Sequence, residues 1–264
     1  MAKKKETRPS PTEAAQRLLI FRFQIIHAIS NPPPSFLVEQ LETMDDAERR
    51  KIVQEMDEKL RLLGASLRVM GLWDNMTDEE RKFLSTPPHK QEYGSYYEAE
   101  CAIEAAVCLM WTLKLIDDLP SWDYDADPKI VSIIPSAHDA AVQFLNHASF
   151  IREAKIDEAR DAAELWHWRS HMRDLELEGY QLPKKSQFKT VDELVRYTAA
   201  EYHKKGLISE PVDGDFPAYG KAYRDLTDSE WMRIRVTSIQ RHRVFNWLCG
   251  YAPKNRYDKT PIDV

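Results

Sequence analysis

The sequence predicts an all-α fold: one compact multi-helix domain over residues 11–264, with room for a minor β-hairpin. Three observations predict it. Glycine is scarce, at 8 of 264 residues, while Ala, Leu, Glu, Lys and Arg are frequent, a balance that favours helix over strand. Apolar residues recur at helical spacing through long segments, and prolines stand at the breaks between them. The hydrophobic fraction, 43 %, suffices for a real core in a chain of this length.

Residues 1–10 open with "MAKKKETRP" and read as a disordered basic tail. An amphipathic helix is expected over Pro11–Ser30, with Thr12 as its N-cap, and the prolines of "NPPPSF" (Asn31–Phe36) stop it. Phe36 to Leu72 reads as helix, with "DDAERR" (Asp45–Arg50) placing acids at a helix start. Thr77 followed by Glu80 is a capping box that opens a short helix, and "STPPHKQEYG" (Ser85–Gly94) is a loop. An apolar helix follows over Tyr96–Asp117, then a turn-rich connection, "DLPSWDYDADP" (Asp118–Pro128), and a helix pair within Ser136–Gly179. A helix is expected over Val191–Lys205 and a closing one over Asp228–Gly250. The hairpin is expected at "DPKIVSII" or "KGLISEPVDG". Gly206, Gly214 and Gly220, with Pro211 and Pro217, suit the stretch 180–225 to a lid, a docking loop or plain connection.

Net charge is −6, which argues against a nucleic-acid-binding surface. The longest apolar run, "CAIEAAVCLMWTLKLI" (Cys101–Ile116), is broken by Glu104 and is too short to span a bilayer. Three cysteines, Cys101, Cys108 and Cys249, lie in apolar helical contexts without CxxC spacing, so core packing in a reducing cytoplasm is expected.

Chemistry enters through polar residues on apolar helices. In "RIRVTSIQRHRVFNWLCGY" (Arg233–Tyr251), a helical wheel puts Arg241 on the arc of Ile234, Phe245 and Leu248, and His242 and Asn246 on the strip of Ile239 and Cys249. Arg does not lose its proton, so burial demands a carboxylate or several carbonyls. Glu100 and Glu104 project from one face of the apolar helix and are the expected partners, with His242 and Asn246 completing the network. "ELWHWRSH" puts Glu164, His167 and His171 on one side of a helix, a weak metal candidate that lacks a zincin glutamate after His167. "DYDADP" starts like a calcium loop, but Pro128 and Ile134 stand where Gly and Glu belong.

The order of these segments resembles the bacterial family DUF4272. The matching text is "GLWDNMTDEERKFLSTPP" (Gly71–Pro88), "EAAVCLMWTLKLIDDLPSWD" (Glu104–Asp123), Asp161 through His167–Trp168, and the ending "QRHRVFNWLCGY". Together these span most of residues 35–264, and the ending is the most specific part. The resemblance implies a helical fold and a bacterial origin. It carries over no catalytic residues, though Glu104, Arg241 and Asn246 fall on its matching text.

The favoured reading is a cytoplasmic, non-catalytic interaction or accessory protein, without cofactor, in which Glu104, Arg241, His242 and Asn246 hold helices in register. A partner protein, with a toxin bound by an immunity-type protein as one example, suits the acidic charge. The rival is a small-ligand binder or hydrolase-like enzyme: Glu100 and Glu104 as base or clamp, Arg241 holding an anion, His242 shuttling protons. A third is metal-dependent chemistry at Glu164, His167 and His171. A sealed network favours the first reading, and a network that opens onto a pocket favours the second.

Overall fold

Ser10 opens the first helix: its hydroxyl accepts from the Glu13 amide at 3.2 Å, and the Glu13 carboxylate returns the bond to the Ser10 amide at 2.7 Å. The computed structural model describes residues 7–264. Ser10, not Thr12, is therefore the cap of α1 (Pro11–Ile29). Residues 1–6 of the expected tail lie outside the described residues, whereas Arg8 is bonded to Asp157 at 2.6 and 2.9 Å.

The prolines that stop α1 also start α2 (Pro34–Thr43), because proline's fixed φ suits a first helical turn. Asp45 then caps α3 (Asp46–Val69), and the expected box, Thr77 with Glu80, caps α4 (Asp78–Phe83). The apolar helix is α5 (Tyr93–Thr112), which begins inside the expected loop. After it come α6 (His138–His147), α7 (Glu153–Leu177), α8 (Val191–Lys204) and α9 (Asp228–Leu248). The fold is all-α, and the sheet among the described residues is one antiparallel pair, β1 (Pro217–Ala218) with β2 (Lys221–Ala222).

That hairpin sits just past the expected place. "DPKIVSII" forms a 3-10 turn instead, and "KGLISEPVDG" contributes only Val212 to an isolated bridge with Asp215. Pro217 faces Ala222 and Ala218 faces Lys221, which leaves a two-residue turn, Tyr219-Gly220, with φ of 51° and 74°. Positive φ at both positions is the type I′ turn that matches strand twist. Tyrosine tolerates it because its amide donates to Asp123 O at 3.1 Å and its hydroxyl to Asp125 at 2.8 Å.

The chain falls into two compact units. Unit 2 comprises residues 9–117 and 127–151. In it α1 packs on α5, and Ala105 through Met110 are fully buried, as a helix apolar on all sides requires. Arg17 of α1 meets Glu80 at 2.5 and 2.6 Å, so the carboxylate that caps α4 also ties it to α1. Unit 1 comprises residues 7–8, 118–126 and 152–264 of the described chain. There α7 packs on α9, and Trp166, Phe216, Tyr223 and Ile234 form the centre of the core. No described helix is long and apolar enough to cross a membrane.

Candidate functional site

Arg241 is fully buried, and three carbonyls accept from it: Nη1 donates to Pro120 O at 2.9 Å and Ser121 O at 2.7 Å, and Nη2 to Tyr124 O at 3.3 Å. Its guanidinium stands 5.4 Å from the Trp122 ring centroid. The turn Asp118–Asp125 thus wraps around this cation. In the same turn Asp125 accepts from Tyr219 and Arg233, which makes "DYDADP" a strut within unit 1.

Of the expected cluster, His242 and Asn246 come together, at 2.9 Å. Glu100 and Glu104 belong to unit 2, whereas Arg241 belongs to unit 1. Glu100 accepts from the Tyr96 hydroxyl at 3.1 Å, and burial, then the Glu100 charge, pushes that phenol up to about 12. Glu104 is buried in α5 and is also a partnered group.

His242 and Asn246 extend into a longer chain along α7. Arg160 Nε–H only donates, so Asn246 Oδ1 accepts it, at 2.9 Å. Asn246 Nδ2 then donates both its hydrogens, to Pro261 O at 2.8 Å and to His242 Nε2 at 2.9 Å. An accepting Nε2 makes His242 a neutral ring with its proton on Nδ1, and that proton goes to His167 Nδ1, 2.9 Å away. His167 is in turn neutral, protonated on Nε2. Burial, then the neighbouring His171 and Arg235 side chains, holds its pKa down to about 4. At the outer end, Arg160 grips Glu164 at 2.6 and 2.9 Å and Asp161 at 3.1 Å.

Glu164 and His167, a weak metal candidate by their spacing, are thus bound at opposite ends of this chain, and His171 is exposed. Among the described residues no group of three or more His, Cys, Asp or Glu is placed to hold a metal ion.

Two features escaped the sequence reading. The first is an ion pair with both side chains at 0 % exposure: Asp215 accepts from Arg169 Nε at 2.7 Å and Nη2 at 2.8 Å, and from the amides of Phe216 at 2.7 Å and Arg224 at 3.0 Å. Burial works to raise the Asp215 carboxyl, but these four donors hold it below the usual carboxylate range.

The second is a cleft of about 710 Å³ in unit 1, between α7 and α8. Asp161, Glu164, Leu165 and Trp168 face it from α7, at the i, i+3, i+4, i+7 spacing of one helix face. Leu194, Thr198 and Tyr202 face it from α8, with Lys205 at the cap of that helix and Leu207 and Val264 beyond. Met172 packs with Val191 and Val195, and Leu165 with Ala199, so the two helices run antiparallel. The 161–164 end of α7 therefore lies towards the 202–205 end of α8. That spacing on α7 and α8 is the signal in the sequence that marks the cleft.

A family model described as a domain of unknown function (DUF4272) matches residues 7–198. The match begins before the expected residue 35 and stops short of "QRHRVFNWLCGY", so it contains Glu104 but not Arg241 or Asn246. It contains the α7 wall of the cleft with Leu194 and Thr198 of α8, and ends before Tyr202 and Lys205. No curated protein and no solved structure matches the chain.

Proposed function

We propose, for a chain that belongs to the DUF4272 family, a non-catalytic binding role in which the α7–α8 cleft of unit 1 holds a small organic ligand. The cleft itself carries this reading. Its volume of about 710 Å³ falls within the range of ligand sites, and it pairs an apolar floor with a few polar groups at the rim. The rim is rigid, because the Asp161 and Glu164 carboxylates are locked through Arg160 into the buried chain ending at His167.

The same chain favours binding over catalysis. A general base works best with a pKa near the ambient pH, whereas His167 stands at about 4 and both nitrogens of His242 are engaged. Soaking crystals of the full chain with a diverse fragment library tests the proposal. Fragments seated on Trp168, and lost in Trp168→Ala, are the expected result. A cleft that stays empty while fragments collect elsewhere overturns it.

A partner protein is the second reading, and one observation in unit 2 favours it. Of the 24 residues of α3, Leu60, Gly64 and Leu67 are buried, while Leu62 and Val69 are exposed and Ile52, Val53 and Met56 are only half-covered. A photo-crosslinking amino acid in place of Met56 should then capture one defined protein in cells, and the same group in place of exposed Asp74 should not.

A further inference from the structure

Asp161 and Glu164 carry two negative charges on the α7 wall, and Arg160 beneath them returns one positive charge. The wall keeps a net negative charge, and a carboxylate oxygen already in a hydrogen bond still has a second lone pair to offer. Across from it, Lys205 forms no ion pair among the described residues. Its ammonium rests 4.5 Å from the Tyr202 ring centroid. Leu165, Trp168, Leu194 and Leu207 supply the apolar lining of the same cleft. Thr198 adds one adaptable acceptor, since its hydroxyl proton is already given to Leu194 O at 2.8 Å.

From this arrangement we infer that the cleft takes an amphipathic zwitterion of the size of a short apolar peptide with free ends, a specification that rests on the ligand-binding reading above. The amine sits at Asp161 and Glu164, the carboxylate sits at Lys205, and the apolar body covers Trp168 and the leucines. A simple cation leaves Lys205 unmatched, and a simple anion meets the acidic wall. A ligand that is only apolar desolvates both rims without replacing their hydrogen bonds.

Calorimetric titration of the full chain with trileucine, its N-acetyl form, its C-terminal amide and the doubly blocked peptide tests this. Free trileucine should bind at least tenfold more tightly than either singly blocked form, and added salt should weaken it. Lys205→Met should erase the preference for acid over amide. Asp161→Asn with Glu164→Gln should erase the preference for amine over N-acetyl. All three positions are at least partly exposed, and circular dichroism verifies the fold of each variant. Equal binding of free and doubly blocked peptide overturns the zwitterion and leaves the cleft as a ligand site. Failure of every peptide while fragments still occupy the cleft has the same meaning. Failure of peptides and fragments together overturns the ligand-binding reading itself.

Discussion

Asn246 decides the state of both histidines. Its oxygen is committed to Arg160, so its nitrogen must donate to His242, and the protons then fall on His242 Nδ1 and His167 Nε2. Imidazole nitrogen-15 spectra should show those two tautomers, with the His167 ring staying neutral until about pH 4. Between the ordinary value of 6.5 and about 4 the unfolded chain binds this proton and the folded chain does not. The stability His167 supplies is therefore complete above pH 6.5 and is lost as pH falls towards 4, by roughly 3 kcal/mol. His27 in unit 2, also lowered to about 4 by burial, adds to the same window, and urea midpoints of His27→Gln beside the parent separate the two. Arg241 is a residue whose burial is legible in its helix and whose carbonyl partners are not. The wheel marks a buried cation, but carbonyls of a turn carry no residue-type signature. Arg241→Met should cost on the order of 2–4 kcal/mol by leaving several carbonyls dry, measured by urea denaturation.

Among the elements, helices with chemical punctuation were read correctly and those closed by geometry were not. Thr77 with Glu80 announced α4, and the acids at 45–48 announced α3. Ser10 is masked as a cap because it adjoins the basic stretch that reads as tail, which favours Thr12. Ser10→Ala should cost about 1 kcal/mol and Thr12→Ala less than about 0.5 kcal/mol, a difference that thermal denaturation of the two variants resolves. The hairpin was misplaced for a related reason. A type I′ turn normally advertises itself as Asn-Gly or Asp-Gly, and here Tyr219 takes the first position, held there by Asp123 and Asp125 about a hundred residues earlier. The cleft hid in plain spacing. Each wall is one amphipathic face, but a single helix face looks the same whether a core or a ligand covers it, so only the splay of α7 from α8 distinguishes them.

At the scale of the whole chain, the helical class followed from composition, but the division into two units did not. Both units are built from discontinuous stretches, with 118–126 assigned to one and 127–151 to the other, and no flexible linker marks the boundaries. Each unit has its own buried ion pair: Arg17 with Glu80 in unit 2, and Arg169 with Asp215 in unit 1. Removing one partner leaves a buried charge uncompensated, at a cost of about 3–5 kcal/mol. Asp215→Asn should then strip hydrogen-exchange protection from α7, α8 and α9 before it affects α1 and α5. Arg17→Met should do the reverse. Exchange mass spectrometry of the full-length variants reads both patterns at once. If either substitution lowers protection evenly over all these helices, the chain unfolds as one cooperative block and the two units are not separate units of stability. Opposite patterns would instead show that a polar pair inside each core stabilises its own helices.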